Sequence, residues 1–405
     1  MHSSIFVAAA TTLILSRTQG ARAAGVPAQA QVINQRKFNA LETVQPPAVF
    51  NISGIFTPPG ISLQALADKP FHVYDDSFLE VIGGNPTLTL IAKSASDPLF
   101  HEAVVWQNKT QEMFFAQNAG SPAAGTGLKK SAIVQKISLT DAAAAVGKKD
   151  ANVKVATVNA TPAVINPNGG TNYRGKIVFA GQGQGDRIAP SLFVMDPVAP
   201  YKTTVLLNNF FGRQFNSLND VSVNPRNKDL YFTDVHYGYL QNFRPAPGLP
   251  TQVYRFDDRT GAVSVVASDF SAANGLTFSP DGKFAYVTDT GYTHGKEGNN
   301  ALNPATIYRF EVADDGTFNN RRTFAYVSAG IPDGIHCDTK GNVYTGCGDG
   351  VHVFNPSGKL IGKIFLGTGV ANFNFAGKGR MVICAETQLY YATIGAEGAV
   401  VASEM

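Results

Sequence analysis

Short stretches of alternating apolar and polar residues recur along the chain, bounded by Gly, Pro, Asn and Asp. This period-two pattern predicts half-buried β-strands joined by tight turns. Three segments look alike. Asn219-Asp220-Val221-Ser222-Val223-Asn224-Pro225 runs on to Leu230–Asp234, and Asn274-Gly275-Leu276-Thr277-Phe278-Ser279-Pro280-Asp281-Gly282 runs on to Ala285–Asp289. Asp333-Gly334-Ile335-His336-Cys337-Asp338 runs through Gly341 to Val343–Gly346. Each opens on a polar residue and continues as strand, turn and strand. Further strand pairs follow, such as Gln252–Phe256 with Ala262–Ala267 and Thr306–Phe310 with Arg322–Val327. Four antiparallel strands per unit, repeating about every 55 residues, predict the blade of a β-propeller.

Less regular units fit the same scheme. Glu102 precedes Ala103–Trp106, Asn168 precedes Gly169-Gly170 and Lys176–Ala180, and Asn372 precedes Phe373–Phe375. The openings are therefore Glu102, Asn168, Asn219, Asn274, Asp333 and Asn372, which predicts an all-β, six-bladed β-propeller. After Leu389–Ile394 too little chain remains to finish the last blade. Thr87–Lys93, a strand ahead of the first opening, is expected to supply the missing outer strand and close the ring, removing exposed edges. Residues 87–405 then form the propeller domain, and residues 25–86 an N-terminal extension packed on its outside. The composition agrees with a turn-rich β protein: 40 Gly, 22 Pro, 27 Phe and 14 Tyr in 405 residues.

Residues 1–24 read as a signal peptide. Ile5–Leu15 is apolar but too short to span a bilayer, and Ala21-Arg22-Ala23 suits signal peptidase; a short buried helix is the alternative. Acceptor tripeptides at Asn51, Asn108 and Asn159 accord with a secreted glycoprotein. No later apolar run is long enough for a membrane span, so no membrane partner is expected. The net charge of +3 is small and dispersed, which argues against nucleic acid. The three cysteines permit one disulfide, Cys337–Cys347 being nearest in sequence, or remain free thiols. The oligomeric state is left open.

In a propeller, residues at equivalent starts of the inner strands face the central axis at one depth. A ring of two carboxylates and four amides suits a hard divalent cation, which prefers oxygen donors. The lack of cysteine ligands and of an HExxH sequence makes zinc or copper a poorer fit. Other motifs fail. Gly181-Gln182-Gly183-Gln184-Gly185 is followed by Pro190 and a strand instead of a helix, so it is no dinucleotide fingerprint. Asp314-Asp315-Gly316 lacks the spaced acids of an EF-hand and predicts a hairpin turn. No G-x-S-x-G is present to support a serine hydrolase.

His101-Glu102-Ala103-Val104-Val105-Trp106, Asn216–Asp220, Asn274–Gly282 and Pro332–Ile335 resemble the gluconolactonase/regucalcin (senescence marker protein) family. Phe232-Thr233-Asp234 and Tyr286–Thr290 fit it as well, and Gly238–Pro245 with the long extension looks like its secreted fungal lactonohydrolases. The resemblance spans about residues 87–395. It implies a six-bladed propeller with one axial divalent metal, commonly Ca2+, and hydrolysis of small lactones of aldonolactone, pantoyl-lactone or aromatic type. It also implies metal ligation by Glu102, Asn219, Asn274 and Asp333. Two positions depart from the family. Ala103-Val104 replaces a frequent Gly-Pro, and Ser217 stands where regucalcin-type members carry an arginine, so sugar hydroxyls must be recognised differently here.

The chemistry expected is polarisation of the lactone carbonyl by the cation and attack of water assisted by a carboxylate, Asp333 first and Glu102 second. A metal hydroxide without a separate base is the rival. Asn168, Ser217, Asp220, His101, His336 and Asn372 are candidate substrate contacts, and His236 a candidate at the mouth. Strand alternation argues against His101 as a direct ligand beside Glu102. The competing readings are a non-catalytic ligand- or protein-binding propeller with a structural ion, and a phosphotriesterase-like hydrolase.

Overall fold

In most blades both faces of the sheet are buried, so consecutive strand residues serve different cores. Phe114 packs into a cluster with Ile177, Phe179 and Met195, while its neighbour Phe115 packs with Ile91, Val382 and Tyr391. One such cluster lies between each pair of adjacent sheets, and this explains the nearly continuous apolar runs. The computed structural model describes residues 25–46 and 54–399. The leader at 1–24 and the tripeptide at Asn51 lie outside the described residues.

Six sheets surround a common axis. Counting from the innermost strand outward, blade I comprises Glu102–Gln107, Glu112–Ala116, Val134–Ser138 and Ala156–Thr157. Blade II runs from Pro167–Tyr173 to Thr203–Leu207, blade III from Leu218–Val223 to Ala262–Ala267, and blade IV from Ala273–Phe278 to Phe318–Tyr326. Blade V begins at Ile335–Cys337 and blade VI at Asn372–Phe375. Thr87–Lys93 pairs antiparallel with Gln388–Thr393, from Thr87 opposite Thr393 to Lys93 opposite Gln388. This is the closure that the short last unit requires, with N- and C-terminal segments sharing one blade.

The extension is more closely integrated than a packed appendage. Phe71–Val73 pairs antiparallel with Leu360–Phe365, and Ala30–Val32 adds parallel to it, so blade V has six strands. The short helix Phe78–Ile82 then places Phe78 over Gly362, where any Cβ would come within 2.2 Å of the Phe78 ring. That close approach accounts for a glycine in the middle of a strand.

A recurring irregularity shapes the axial end. In blades I to IV the pairing of the first two strands shifts register just after the opening residue, at Glu102/Val105, Pro167/Gly170, Leu218/Val221 and Ala273/Leu276. Such bulges re-aim one side chain out of the pleat. Bonds between blades then fix the ring: Thr233 donates to the Asn274 carbonyl (2.7 Å), Thr288 to that of Asp333 (2.9 Å), and Asn168 to that of Asn219 (3.1 Å). Asp314–Gly316 forms a hairpin turn between the outer strands of blade IV. All three cysteines are free and buried; Cys337 faces Val343, leaving Cys347 at the far end of the neighbouring strand.

Candidate active site

Five of the six opening residues meet on one cavity of about 130 Å3 at the axis. Glu102, Asn168, Asn219, Asn274 and Asp333 line it together with His101, Gln182, Tyr237, Gln241 and Thr293. A larger cavity of about 340 Å3 includes Asp338 of the blade V hairpin. There the Asp338 carboxylate is already used by Lys340, Asn342 and Tyr344, and the Lys340 ammonium is paired with Glu80.

The ring divides into engaged and free amides. Asn168 accepts from Gln182 at 3.1 Å and donates to the Asn219 carbonyl. Asn372 donates to Glu102 Oε2 at 2.6 Å and accepts from the Phe373 N–H, so it stands behind the glutamate and does not line the cavity. By contrast, the Oδ1 atoms of Asn219 and Asn274 are buried with no hydrogen-bond partner among the described residues. An orphaned buried acceptor costs about 1–3 kcal/mol, and two on one cavity call for a donor or a cation between them.

Electrostatics point the same way. Burial raises Glu102 well above the usual carboxylate range, and the neighbouring Asp333 adds to the rise. Asp333 is pushed up to about 6, chiefly by burial, with His101 partly offsetting it. Two carboxylates that resist ionising side by side ionise readily when a positive charge joins them. Among the described residues no three His, Cys, Asp or Glu side chains group as a metal site; the donor set here is two acids and two amide oxygens. That set fits a hard divalent cation.

Glycines permit the convergence. A Cβ on Gly275 would lie 2.4 Å from the Asp333 carbonyl, and one on Gly169 2.3 Å from Asp220. The polar-Gly pairs Asn168-Gly169 and Asn274-Gly275 therefore record how closely the inner strands approach.

The remaining candidates separate. His101 lines the cavity beside Glu102 because it sits just ahead of the strand, which begins at Glu102, where alternation does not apply. Its Nδ1 lies 2.7 Å from Glu386, whose other oxygen accepts from Asn118 at 3.2 Å. Burial opposes its charged form, but Glu386 outweighs burial and His101 is pushed up to about 9. Ser217 is fully buried beneath the site, donating to Gln182 at 3.0 Å and accepting from the Gly238 N–H. Asp220 accepts from the Val221 and Leu276 N–H groups, both at 2.8 Å, and ties blade III to blade IV. His336 lies 3.3 Å from Asn372, off the cavity wall, and burial lowers it to about 4. His236 caps a short helix, 3.1 Å from the Leu249 carbonyl, also away from the axis. The bulge sends Asn219 to the axis and turns its two neighbours into supports.

Glu386, Gln182 and Tyr237 are the residues that sequence reasoning missed. Gln182 sits in the Gly181–Gly185 run, which is a loop shaped by positive φ at Gly183 and Gly185. The strap Gly238–Pro245 is pinned by buried Arg244, which donates to the Asn216 carbonyl (3.1 Å) and Gln214 (2.9 Å). The aspartates of Phe232-Thr233-Asp234 and Val287-Thr288-Asp289 are structural, accepting backbone N–H groups that lead into the innermost strand of their own blade.

A six-bladed propeller with acid and amide oxygens gathered at one end of its axis defines the class. Residues 100–387 match the SMP-30/gluconolactonase/LRE-like region, and the chain belongs to that family. A lactonohydrolase of Aspergillus oryzae, oryL, is 28% identical over 341 residues, covering 78% of this chain and 72% of the relative. Among solved structures, a gluconolactonase from Xanthomonas campestris superposes with a TM-score of 0.63 at 23% identity, covering 80% of this chain and 95% of the other. The calcium-binding regucalcin of Agrobacterium tumefaciens gives 0.53 at 16%, covering 77% and 95%. At these identities the two structures speak to the fold alone.

Proposed function

We propose that the protein is a lactonase that opens small lactones at the axial cavity with the help of a hard divalent cation, Ca2+ being the first choice. The observation that carries this reading is the pair of unpartnered Asn219 and Asn274 oxygens set between Glu102 and Asp333. Those four side chains would hold the ion. Bound there, a cation supplies Lewis acidity toward an ester carbonyl.

The chain's own groups do the rest. Asp333 is half-buried on the wall, whereas Glu102 is only 2% exposed and tied to Asn372, so Asp333 is the better-placed proton acceptor. As the water oxygen bonds to the carbonyl carbon, its proton passes to Asp333. The acyl–oxygen bond then breaks, and the ring oxygen takes that proton back from Asp333 as it leaves as the hydroxyl of the hydroxy acid. Glu386 and Asn118 hold His101 in one orientation beside the reacting groups.

Proton release followed in a pH-stat over aldono-, pantoyl and aromatic lactones tests the reading. Turnover should vanish with chelator and return with Ca2+. Asn274→Ala and Asp333→Ala should each abolish it while leaving the β-rich circular dichroism intact. Wild-type turnover in either variant would remove the site from consideration, and cation binding without turnover on any lactone would favour a binding propeller.

Secretion as a glycoprotein is part of the proposal, supported by the leader pattern and by the exposed positions of Asn108 and Asn159. A mature chain beginning at Met1, or no mobility shift with glycosidase, would count against it.

A further inference from the structure

The central cavity is small, and a second, larger cleft of about 300 Å3 opens beside it, sharing Ile331 and Asp333 as a common wall. Loops at the axial end of blades V and VI form this cleft. Its side-chain surface is Ile331, Cys347, Val370 and Ala371, with bare backbone at Gly348 and Gly369 between them. Among the described residues no lysine, arginine or histidine lines it. Its two carboxylates are Asp333, shared with the central cavity, and Glu386, whose oxygens are taken by His101 and Asn118.

Three of the backbone N–H groups around the cleft are already paired. Gly348 N–H bonds to the Ala329 carbonyl at 2.9 Å, Val370 N–H to that of Cys347 at 2.9 Å, and Gly334 N–H to that of Ala371 at 2.7 Å. Apart from the two carboxylates the side chains of the wall are apolar and offer a polyol little, and an acidic substituent would meet those carboxylates and no cation among the described residues. An aliphatic chain loses nothing by entering and gains the burial of its methylenes.

We infer that this cleft is a substrate subsite for an apolar substituent, so that the preferred substrates are alkyl-substituted lactones with the ring in the central cavity and the chain between blades V and VI. The inference rests on the lactonase reading for the identity of the ring. Gly369 is the natural probe: a Cβ placed there has no atom within 4 Å, so a larger side chain projects into open cleft without disturbing the loop. Gly330 and Gly348 offer no such choice, since each would push a Cβ to within 3 Å of the other's backbone.

The test separates the cleft from the chemistry by using ligands that cannot be hydrolysed. Cyclopentanones carrying methyl, butyl and heptyl chains are titrated into the full protein by calorimetry. In parallel, kcat/KM is measured for γ-butyrolactone and γ-undecalactone. Affinity is expected to rise about fourfold per methylene that reaches the cleft, and γ-undecalactone to be preferred at least ~10-fold over γ-butyrolactone. Gly369→Leu, which fills the cleft, should flatten the chain-length dependence and reduce the preference between the two lactones to about twofold. Ile331→Ser, which strips the wall, should flatten it too and serves if the leucine variant does not fold. A chain-length dependence absent from the wild type, or undiminished in both variants, overturns the subsite. Chain-length-dependent ketone binding without opening of either lactone would keep the cleft and sink the lactonase reading.

Discussion

At the scale of single residues, the axial site depends on side chains that seem interchangeable in sequence and are not. Asp234 accepts from the Asn216 N–H, the Asn216 amide and the Ser217 N–H, all within 3.0 Å and all buried. Asp234→Ala leaves those donors unpaired and should cost about 3 kcal/mol or more, read as a lower midpoint in urea unfolding. Gly275→Ala forces a methyl against the Asp333 carbonyl at 2.4 Å. It should destabilise the fold by about 1–3 kcal/mol and lower lactone opening more than the stability loss explains, because Asp333 must shift. The ring of opening residues was legible through its repeats. Glu386 was not: it reaches His101 across 285 residues, and no motif encodes a contact of that range. Ser217 and Asp220 show the converse error, since proximity to Asn219 in sequence does not survive the bulge that turns them away.

Among the elements, the strand Thr87–Lys93 and the extension joined to blade V carry the most consequence. Placing Thr87–Lys93 in the last blade followed from simple accounting, since a blade short of one strand exposes a sheet edge. The extension's own pairing had no such signal. Phe71–Val73 is only three residues, and its partner Leu360–Phe365 looks like an ordinary outer strand. The small helix after it matters through Phe78, which is fully buried over Gly362. Phe78→Ala should cost about 3–5 kcal/mol and expose the outer strands of blade V to hydrogen exchange before the axial strands.

For the molecule as a whole, acid should act through buried histidines. His72, packed flat on Phe365 at 4.9 Å, is lowered to about 4 by burial, and His336 likewise. In the unfolded chain both bind protons near pH 6.5, so between about pH 6.5 and 4 the unfolded state binds more protons than the native state. The contribution of these two histidines to stability therefore rises with pH across that window and is lost as pH falls through it. Asp349, held low by His352 and Lys363 despite its burial, contributes in the same direction below the ordinary aspartate range. Glu102 and Asp333, raised by burial, act the other way as pH falls, so the effect is read as a difference: between pH 7 and 4.5 the thermal midpoint of His72→Gln should shift less toward instability than that of the wild type. An unchanged slope in the variant would place the acid sensitivity elsewhere.

What the amino-acid order determined by itself was the repeat: strand periodicity, six polar openings and a deficit in the last blade, because these are local patterns copied along the chain. The fold could be read from them, and so could the ring of polar openings, five of which line the axial cavity. Only the closed ring decided which amides keep a free oxygen, which neighbours become supports, and that His101 pairs with Glu386. Those outcomes depend on bulges that redirect side chains and on contacts between blades far apart in sequence, where the approach of one backbone to another selects the partner.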